Sequence, residues 1–186
     1  MKYEIICIET EWQITKRGNK RSLNTEPLVK YISEMYGVKY IYRRVATRTE
    51  LEYYLEFLKR KEYSFRVLYL SFHGKKHAIM LEGEKQELTL EELSEIGGDV
   101  FRGRYVHFSS CRTLIGSESV IERFKKQTKA KMVSGYTKSV DSNDSAIHDI
   151  ALIGELLTKK QLPTLLDSMK KRYGGLEEQL GFRTCY

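Results

Sequence analysis

Residues 66–74 read RVLYLSFHG, an apolar run that ends abruptly at His73 and Gly74. A short apolar run bounded by turn residues is typical of a buried β-strand. Residues 105–111, YVHFSSC, show the same pattern, and Cys111 follows the apolar part. The two segments therefore predict two buried strands, each followed at its carboxyl end by a side chain capable of chemistry.

The rest of the chain alternates between strand-like and helix-like patterns around these two segments. Further strands are predicted over 2–9, 39–46 and 131–136, and a small hairpin over 78–89. A helix is predicted to begin after Asn24 or Thr25 and to end at Gly37, and the last one covers 163–173. Alternating strands and helices indicate an α/β fold with a mainly parallel central sheet flanked by helices. The length predicts one domain over residues 1–186.

Composition limits the function classes. The chain has 186 residues, 41% hydrophobic and 31% charged, with a net charge of +7. Its first apolar run is interrupted by Glu4 and Glu9, and no apolar stretch approaches the ~20 residues that span a bilayer. We therefore expect a cytoplasmic protein without a membrane partner. The basic cluster within residues 16–21 is interpreted as a solvated loop, so no specific nucleic-acid partner is expected.

The cysteines and histidines do not form a disulfide or metal pattern. Three cysteines, Cys7, Cys111 and Cys185, are an odd number without framework spacing, and the four histidines lack zinc-site spacing. We therefore expect no metal and no cofactor. Cys7 is predicted to lie in the core, whereas Cys185 is the main rival to Cys111 as a reactive thiol.

His73 and Cys111 have the residue types of a thiol–imidazole pair. Functional groups in open α/β sheets gather beyond the carboxyl ends of the strands, where both residues are predicted. A thiol reacts as its thiolate, which a nearby cation, a histidine or a helix N-terminus favours; Arg112 and the helix predicted after Cys111 are the candidates. Gly74 has no Cβ, so the backbone N–H groups of Gly74 and Cys111 are candidate oxyanion donors.

Structural roles remain open for the same positions. A His-Gly pair at a strand end is commonly a turn, and a strand-terminal cysteine is commonly a small buried hydrophobe. His107, inside the strand before Cys111, is expected to be packed or hydrogen-bonded. His148 is expected to be exposed on a helix.

The order of the motifs resembles the caspase-like (clan CD) cysteine peptidases, most closely their CHAT branch. RVLYLSFHG, the hairpin with AIML, LTLEELSEI and YVHFSSCRTL carry the resemblance, together with KMVSGYTKSVDSNDSAIHDIALIGELL; it covers about residues 64–157. It implies a three-layer caspase-like fold with a small hairpin extension. It also implies that Cys111 is the nucleophile, that His73 is the general acid and base, and that peptides are hydrolysed through a thioester.

Candidate substrate-binding residues come from the same resemblance and from position in the chain. Several relatives carry an acidic residue two positions before the cysteine, but this chain has the neutral Ser109, which does not support a preference for basic substrates. Asp141 or Asp144 could supply an acid from the later loop, although a turn or cap role is the commoner one. Trp12 follows the first strand and is a candidate for the pocket wall.

Three functions are weighed on these grounds. The first is a cysteine endopeptidase with a Cys–His dyad, acting on a protein or peptide substrate. The second is a catalytically silent caspase-like interaction or signalling module with a regulatory protein partner. The third, a nucleotide- or nucleic-acid-binding α/β domain, fits the +7 charge, but the sequence has neither Gly-x-Gly-x-x-Gly nor a phosphate-loop motif.

Overall fold

The computed structural model describes residues 3–12, 24–60 and 63–186. The basic cluster within residues 16–21 lies outside the described residues. The strands, in chain order, are β1 Ile5–Thr10, β2 Tyr40–Val45, β3 Val67–Ser71, β4 His73–Lys75, β5 Ala78–Met80, β6 Leu88–Thr89, β7 Tyr105–Ser109, β8 Met132–Tyr136 and β9 Phe182–Cys185. The helices are α1 Glu26–Tyr36, α2 Arg48–Leu58, α3 Leu90–Gly97, α4 Glu118–Thr128, α5 Ser142–Thr158 and α6 Leu162–Leu180.

Six strands form the central sheet in the order β2-β1-β3-β7-β8-β9. All neighbours are parallel except β8 and β9, which are antiparallel. The chain first moves from β1 to β2 on one side and then returns to place β3 on the other side of β1. The order of the strands thus reverses between β1 and β3, where open α/β sheets form a crevice beyond the strand ends.

Helices cover both faces of the sheet, because successive strand residues point to opposite sides. Ile6 and Ile8 face a core with α2, α3 and α4, whereas Ile5 and Cys7 face a core with α1, α5 and α6. The predicted α/β fold, a mainly parallel sheet flanked by helices, is confirmed. Burial on both faces explains why the strand segments read as continuous apolar runs rather than as alternating ones.

The hairpin extension is a separate antiparallel sheet in the order β4-β5-β6. Its first strand begins at His73, two residues beyond the end of β3. A bond from His77 N–H to Thr113 O, 3.1 Å long, joins this extension to the loop after Cys111. The extension therefore lies over the carboxyl edge of the main sheet.

Three sequence-based expectations about local structure were wrong. His148 is fully buried in α5, not exposed. The last helix runs to Leu180 rather than 173, with Gly174 and Gly175 inside it. The sequence predicts no element beyond residue 173, but the residues after α6 form the edge strand β9, and Cys185 lies half-buried there.

Candidate active site

A pocket of about 310 Å³ opens at the carboxyl edge of the central sheet and holds both predicted dyad residues. β3 and β7 are direct neighbours, with Ser71 beside Ser109, so the residues that follow them meet at one place. His73 comes from the β3 side and Cys111 from the β7 side. The Ser110 hydroxyl accepts a bond from Phe72 N–H at 3.3 Å, which ties the two loops together.

Gly74 lies directly against the backbone of the cysteine loop. A Cβ atom at this position would lie 2.0 Å from the carbonyl oxygen of Cys111 and 2.4 Å from Thr113 Oγ1. Only glycine leaves room for this approach, because every other residue would bring a Cβ into overlap with backbone atoms. The glycine after His73 therefore allows close packing of the His73 and Cys111 loops.

His73 is held by contacts on its ring and at Nε2. The ring meets that of Trp12 edge-on, with centroids 4.5 Å apart and planes at 79°. Nε2 lies 3.4 Å from a carboxylate oxygen of Glu82, which comes from the loop between β5 and β6. The side chain of His73 is 50% exposed, so it is open to solvent and to an incoming ligand.

The Cys111 sulfur faces the start of α5. Sγ accepts a hydrogen bond from Val140 N–H at 3.4 Å, and Asp141 next in the chain is the N-cap of α5. Sγ also lies 3.9 Å from Val140 O, which can accept the thiol proton. The expected helix was the wrong one, since α4 begins only at Glu118.

A buried carboxylate at the end of β1 positions the indole of Trp12. Glu9 is fully buried and accepts bonds from Trp12 Nε1 at 2.5 Å, from Thr25 N and Oγ1, and from the Tyr42 hydroxyl. Thr25 Oγ1 also lies 2.9 Å from Ser71 Oγ. Glu9 thus links the entrance of α1 to the wall of the pocket.

Asp149 forms the polar floor of the pocket and carries a dense hydrogen-bond network. Its two oxygens interact with four groups: Tyr69 OH at 2.6 Å, Ser109 Oγ at 2.7 Å, His107 Nε2 at 2.7 Å, and Tyr136 OH. Burial raises the pKa of the carboxyl, but His107 and the hydroxyl donors outweigh that effect and hold it at about 2. Asp149 therefore stays a carboxylate, and each of its oxygens already has two partners.

Not all of the predicted substrate-binding residues line the pocket. Trp12 and Ser109 line the pocket, whereas Asp141 is not among its lining residues. Asp141 instead accepts bonds from Asn143 N–H and Asp144 N–H as a helix cap. Asp144 binds the amide of Gln179 at 2.7 Å. His107 is buried and hydrogen-bonded, as expected.

Sequence reasoning missed Asp149, Glu82 and Glu9. Asp149 lies on the same face of α5 as the buried apolar residues Leu152, Ile153 and Leu156. A charged residue at an apolar position of the helical pattern was the sequence signal that could have identified it. Glu9 is likewise a charged residue inside β1, directly after four buried apolar residues. Glu82 gave no sequence signal, because its role depends on how the hairpin folds back over the sheet.

The described residues hold no cluster of three or more histidine, cysteine or acidic side chains arranged to bind a metal ion. Within the same residues, none of the helices has the length and apolar character needed to cross a bilayer.

Comparisons with known proteins support the fold. A family model described as "Family of unknown function (DUF6642)" matches residues 2–186. A solved structure of pro-sf-caspase-1 is similar, with a TM-score of 0.58 and 12% sequence identity over 95% of this chain and 80% of that chain. No curated protein matches. The structural similarity shows a caspase-like fold, and at this identity it shows the fold alone.

Proposed function

Since the chain belongs to the DUF6642 family, which is described as a family of unknown function, we propose its function from the site: a cysteine endopeptidase of the caspase-like, CHAT-related kind. The single observation that carries the proposal is that Cys111 and His73 line one pocket at the ends of neighbouring strands. A protein or peptide segment is the proposed substrate, entering the solvent-open side where His73 is exposed.

The proposed reaction begins with transfer of the Cys111 thiol proton to His73. The thiolate sulfur then attacks the substrate carbonyl carbon, and the carbonyl oxygen becomes an oxyanion. The backbone N–H groups of Gly74 and Cys111 are the proposed donors to that oxygen, and such donors are typically worth about 3 kcal/mol each in the transition state. The close approach of Gly74 to the Cys111 backbone supports this pairing.

Collapse of this intermediate breaks the C–N bond. His73 returns its proton to the leaving amine, and a thioester with Cys111 remains. A water molecule then gives a proton to His73 while its oxygen attacks the thioester, and the acid leaves as the thiol re-forms. The same imidazole thus acts as base and acid in both halves, and no metal is needed for the balance of the reaction.

Glu82 is proposed as a positioning residue for His73. Its carboxylate lies 3.4 Å from Nε2, so a proton on Nε2 points at a negative charge, and Nδ1 is then free to accept the proton of the thiol. The imidazolium formed during the reaction also gains from this charge. Trp12 limits rotation of the ring from the other side.

Thiol alkylation tests the dyad without knowledge of the substrate. Cys111 and Cys185 are both half-buried, and Cys7 is fully buried. We expect iodoacetamide to modify Cys111 faster than Cys185 at neutral pH, and the His73→Ala variant to lose that advantage. The rate at Cys185 in the same molecule is the internal control. Equal rates at both cysteines in the wild-type protein, unchanged in His73→Ala, would argue against an activated thiol.

A peptide library tests the hydrolysis itself. We expect cleavage by the wild-type protein and by Cys185→Ala, and none by Cys111→Ala. An activated Cys111 without peptide cleavage would favour the second candidate, a silent interaction module that retains the pair. Cleavage by Cys111→Ala at the wild-type rate would eliminate Cys111 as the nucleophile.

A further inference from the structure

The amino-terminal edge of the central sheet, opposite the proposed dyad, carries a second pocket of about 400 Å³. Its walls include five basic side chains and one acidic one. They are Arg66, Arg104, Lys131, Lys159, Lys160 and Glu4. The pocket shares no lining residue with the one that holds Cys111.

Sheet topology places three of these cations in a row. Arg66, Arg104 and Lys131 each directly precede a strand, and those strands, β3, β7 and β8, are neighbours. Tyr105 N–H donates to Arg66 O at 2.9 Å, and Lys131 N–H donates to Arg104 O at 2.8 Å. Because neighbouring strands lie about 4.8 Å apart, the outer two backbones are about 10 Å apart. The backbone of the sheet therefore fixes the spacing of these three residues, whichever rotamers their side chains adopt.

Two of the five cations are already neutralised. Arg66 lies 3.4 Å from Glu4, and its guanidinium also donates to the last carbonyls of α5, Leu157 O among them. Lys159 forms an ion pair with Glu155 at 3.0 Å. These contacts secure the end of α5 beside the pocket, and both charges have a local structural role.

The other three basic residues, Arg104, Lys131 and Lys160, have no carboxylate partner among the described residues. Lys131 lies over the ring of Tyr105, with Nζ 5.0 Å from the centroid. Lys160 is exposed, two residues beyond the end of α5. Among the residues that the structure describes, the mouth of the pocket therefore has more basic side chains than carboxylates to pair with them.

Arg104 is the most informative of the three. Its guanidinium lies over the ring of Phe65, 4.5 Å from the centroid, and its buried Nε has no hydrogen-bond partner in the described part of the chain. Burial lowers the pKa of this guanidinium from its usual value. The guanidinium as a whole has no hydrogen bond or ion pair within the described residues. A partly desolvated cation without an acceptor is costly, and an anion in the pocket would provide acceptors for its two terminal nitrogens.

We propose that this pocket binds a small anion with several phosphate groups, either an inorganic oligophosphate or the polyphosphate part of a nucleotide. The planar guanidinium of Arg104 suits two oxygens of one phosphate, while Lys131 and Lys160 act as point charges on the next. A concave pocket of about 400 Å³ fits a small molecule better than an extended polymer. The inference does not depend on the proposed peptidase activity.

Isothermal titration with inorganic tripolyphosphate at 50 mM salt tests the site. We expect saturable one-to-one binding by the full chain, weakened about tenfold in Lys131→Gln and further in Arg104→Gln/Lys131→Gln. Lys30→Gln/Lys85→Gln is the matched control: it removes two exposed charges outside the pocket and should bind as the wild type does. Thermal melts verify that each variant is folded, and the single variant at exposed Lys131 serves if Arg104→Gln does not fold.

The titrations also distinguish the two sources of phosphate. ATP binding more tightly than tripolyphosphate would assign the site to nucleotides, and equal or weaker binding would assign it to oligophosphates; both outcomes support the pocket. Absence of saturable binding to tripolyphosphate and to ATP would overturn the proposal. So would an equal loss of affinity in the pocket double variant and the control double variant, since that would indicate attraction by net charge alone.

Discussion

Gly74 packs so closely on Cys111 that a Cβ atom on Gly74 would lie 2.0 Å from the Cys111 carbonyl oxygen. The contact connects the first residues of the hairpin extension to the loop that carries the proposed nucleophile. Because this contact is possible only for a residue without a Cβ, the relative position of His73 and Cys111 depends on glycine at position 74. That dependence gives the first of four predictions.

Gly74→Ala is expected to separate the two loops. The added methyl group must displace backbone atoms, which typically costs about 1–3 kcal/mol in the free energy of unfolding, measured by urea denaturation. We also expect selective alkylation of Cys111 to be lost. The control is Gly175→Ala in α6, where a Cβ would meet no atom within 4 Å and where alanine is expected to stabilise the helix by about 0.5–1 kcal/mol. Wild-type reactivity in Gly74→Ala would show that the close contact is not needed.

Glu82→Gln is expected to lower kcat about tenfold with little change in KM, once a cleavable peptide is in hand. The carboxylate 3.4 Å from His73 Nε2 would stabilise the charged imidazolium of the proposed reaction, and solvent partly screens this pair. Glu87→Gln is the matched control, because it removes a second hairpin carboxylate that pairs with Lys75 instead. A change in KM alone would place Glu82 in substrate binding and not in positioning His73.

Asp149→Asn is expected to destabilise the fold by about 3 kcal/mol at neutral pH, because it breaks a buried charged network. The folded-state pKa of about 2 lies below the value near 4 of an unfolded aspartate. The carboxylate therefore contributes its full stability above pH 4 and loses it as the pH falls through about 2.

The measurement is thermal unfolding as a function of pH. Between pH 4 and pH 2 the melting temperature of Asp149→Asn should fall less steeply than that of the wild type. Asp167→Asn, a change at an exposed position of α6, should follow the wild-type curve. Parallel curves for all three proteins would contradict the assigned pKa.

The parts of the fold that the sequence predicted share a physical basis in local pattern. β3 and β7 were identifiable because burial on both faces makes them continuous apolar runs, and the residues after them were placed by the polarity of parallel sheets. The capping box of Thr89 and Glu92 at the start of α3 is likewise a local pattern. A resemblance in motif order then suggested the roles that we propose for His73 and Cys111.

The missed parts depend on contacts between distant segments. β9 exists because its backbone pairs with β8, about fifty residues earlier in the chain. Gly174 and Gly175 suggested the end of α6, but the helix continues to Leu180, which is buried. Asp149 and Glu9 occupy positions that an apolar pattern assigns to the core, and only the arrangement of donors around each carboxylate reveals why a charge is tolerated there.

Trp12 is the chain's one tryptophan, so tryptophan fluorescence reports directly on the pocket. Its indole contacts His73 with ring centroids 4.5 Å apart and lines the same pocket as Cys111. We expect alkylation of Cys111 in the Cys185→Ala variant to change the emission of Trp12 at the rate at which the thiol is consumed. Alkylation of Cys185 in the Cys111→Ala variant should leave the emission unchanged, because Cys185 lies in β9 and does not line the pocket. An emission change that follows Cys185 and not Cys111 would mean that Trp12 and Cys111 do not share a pocket in solution.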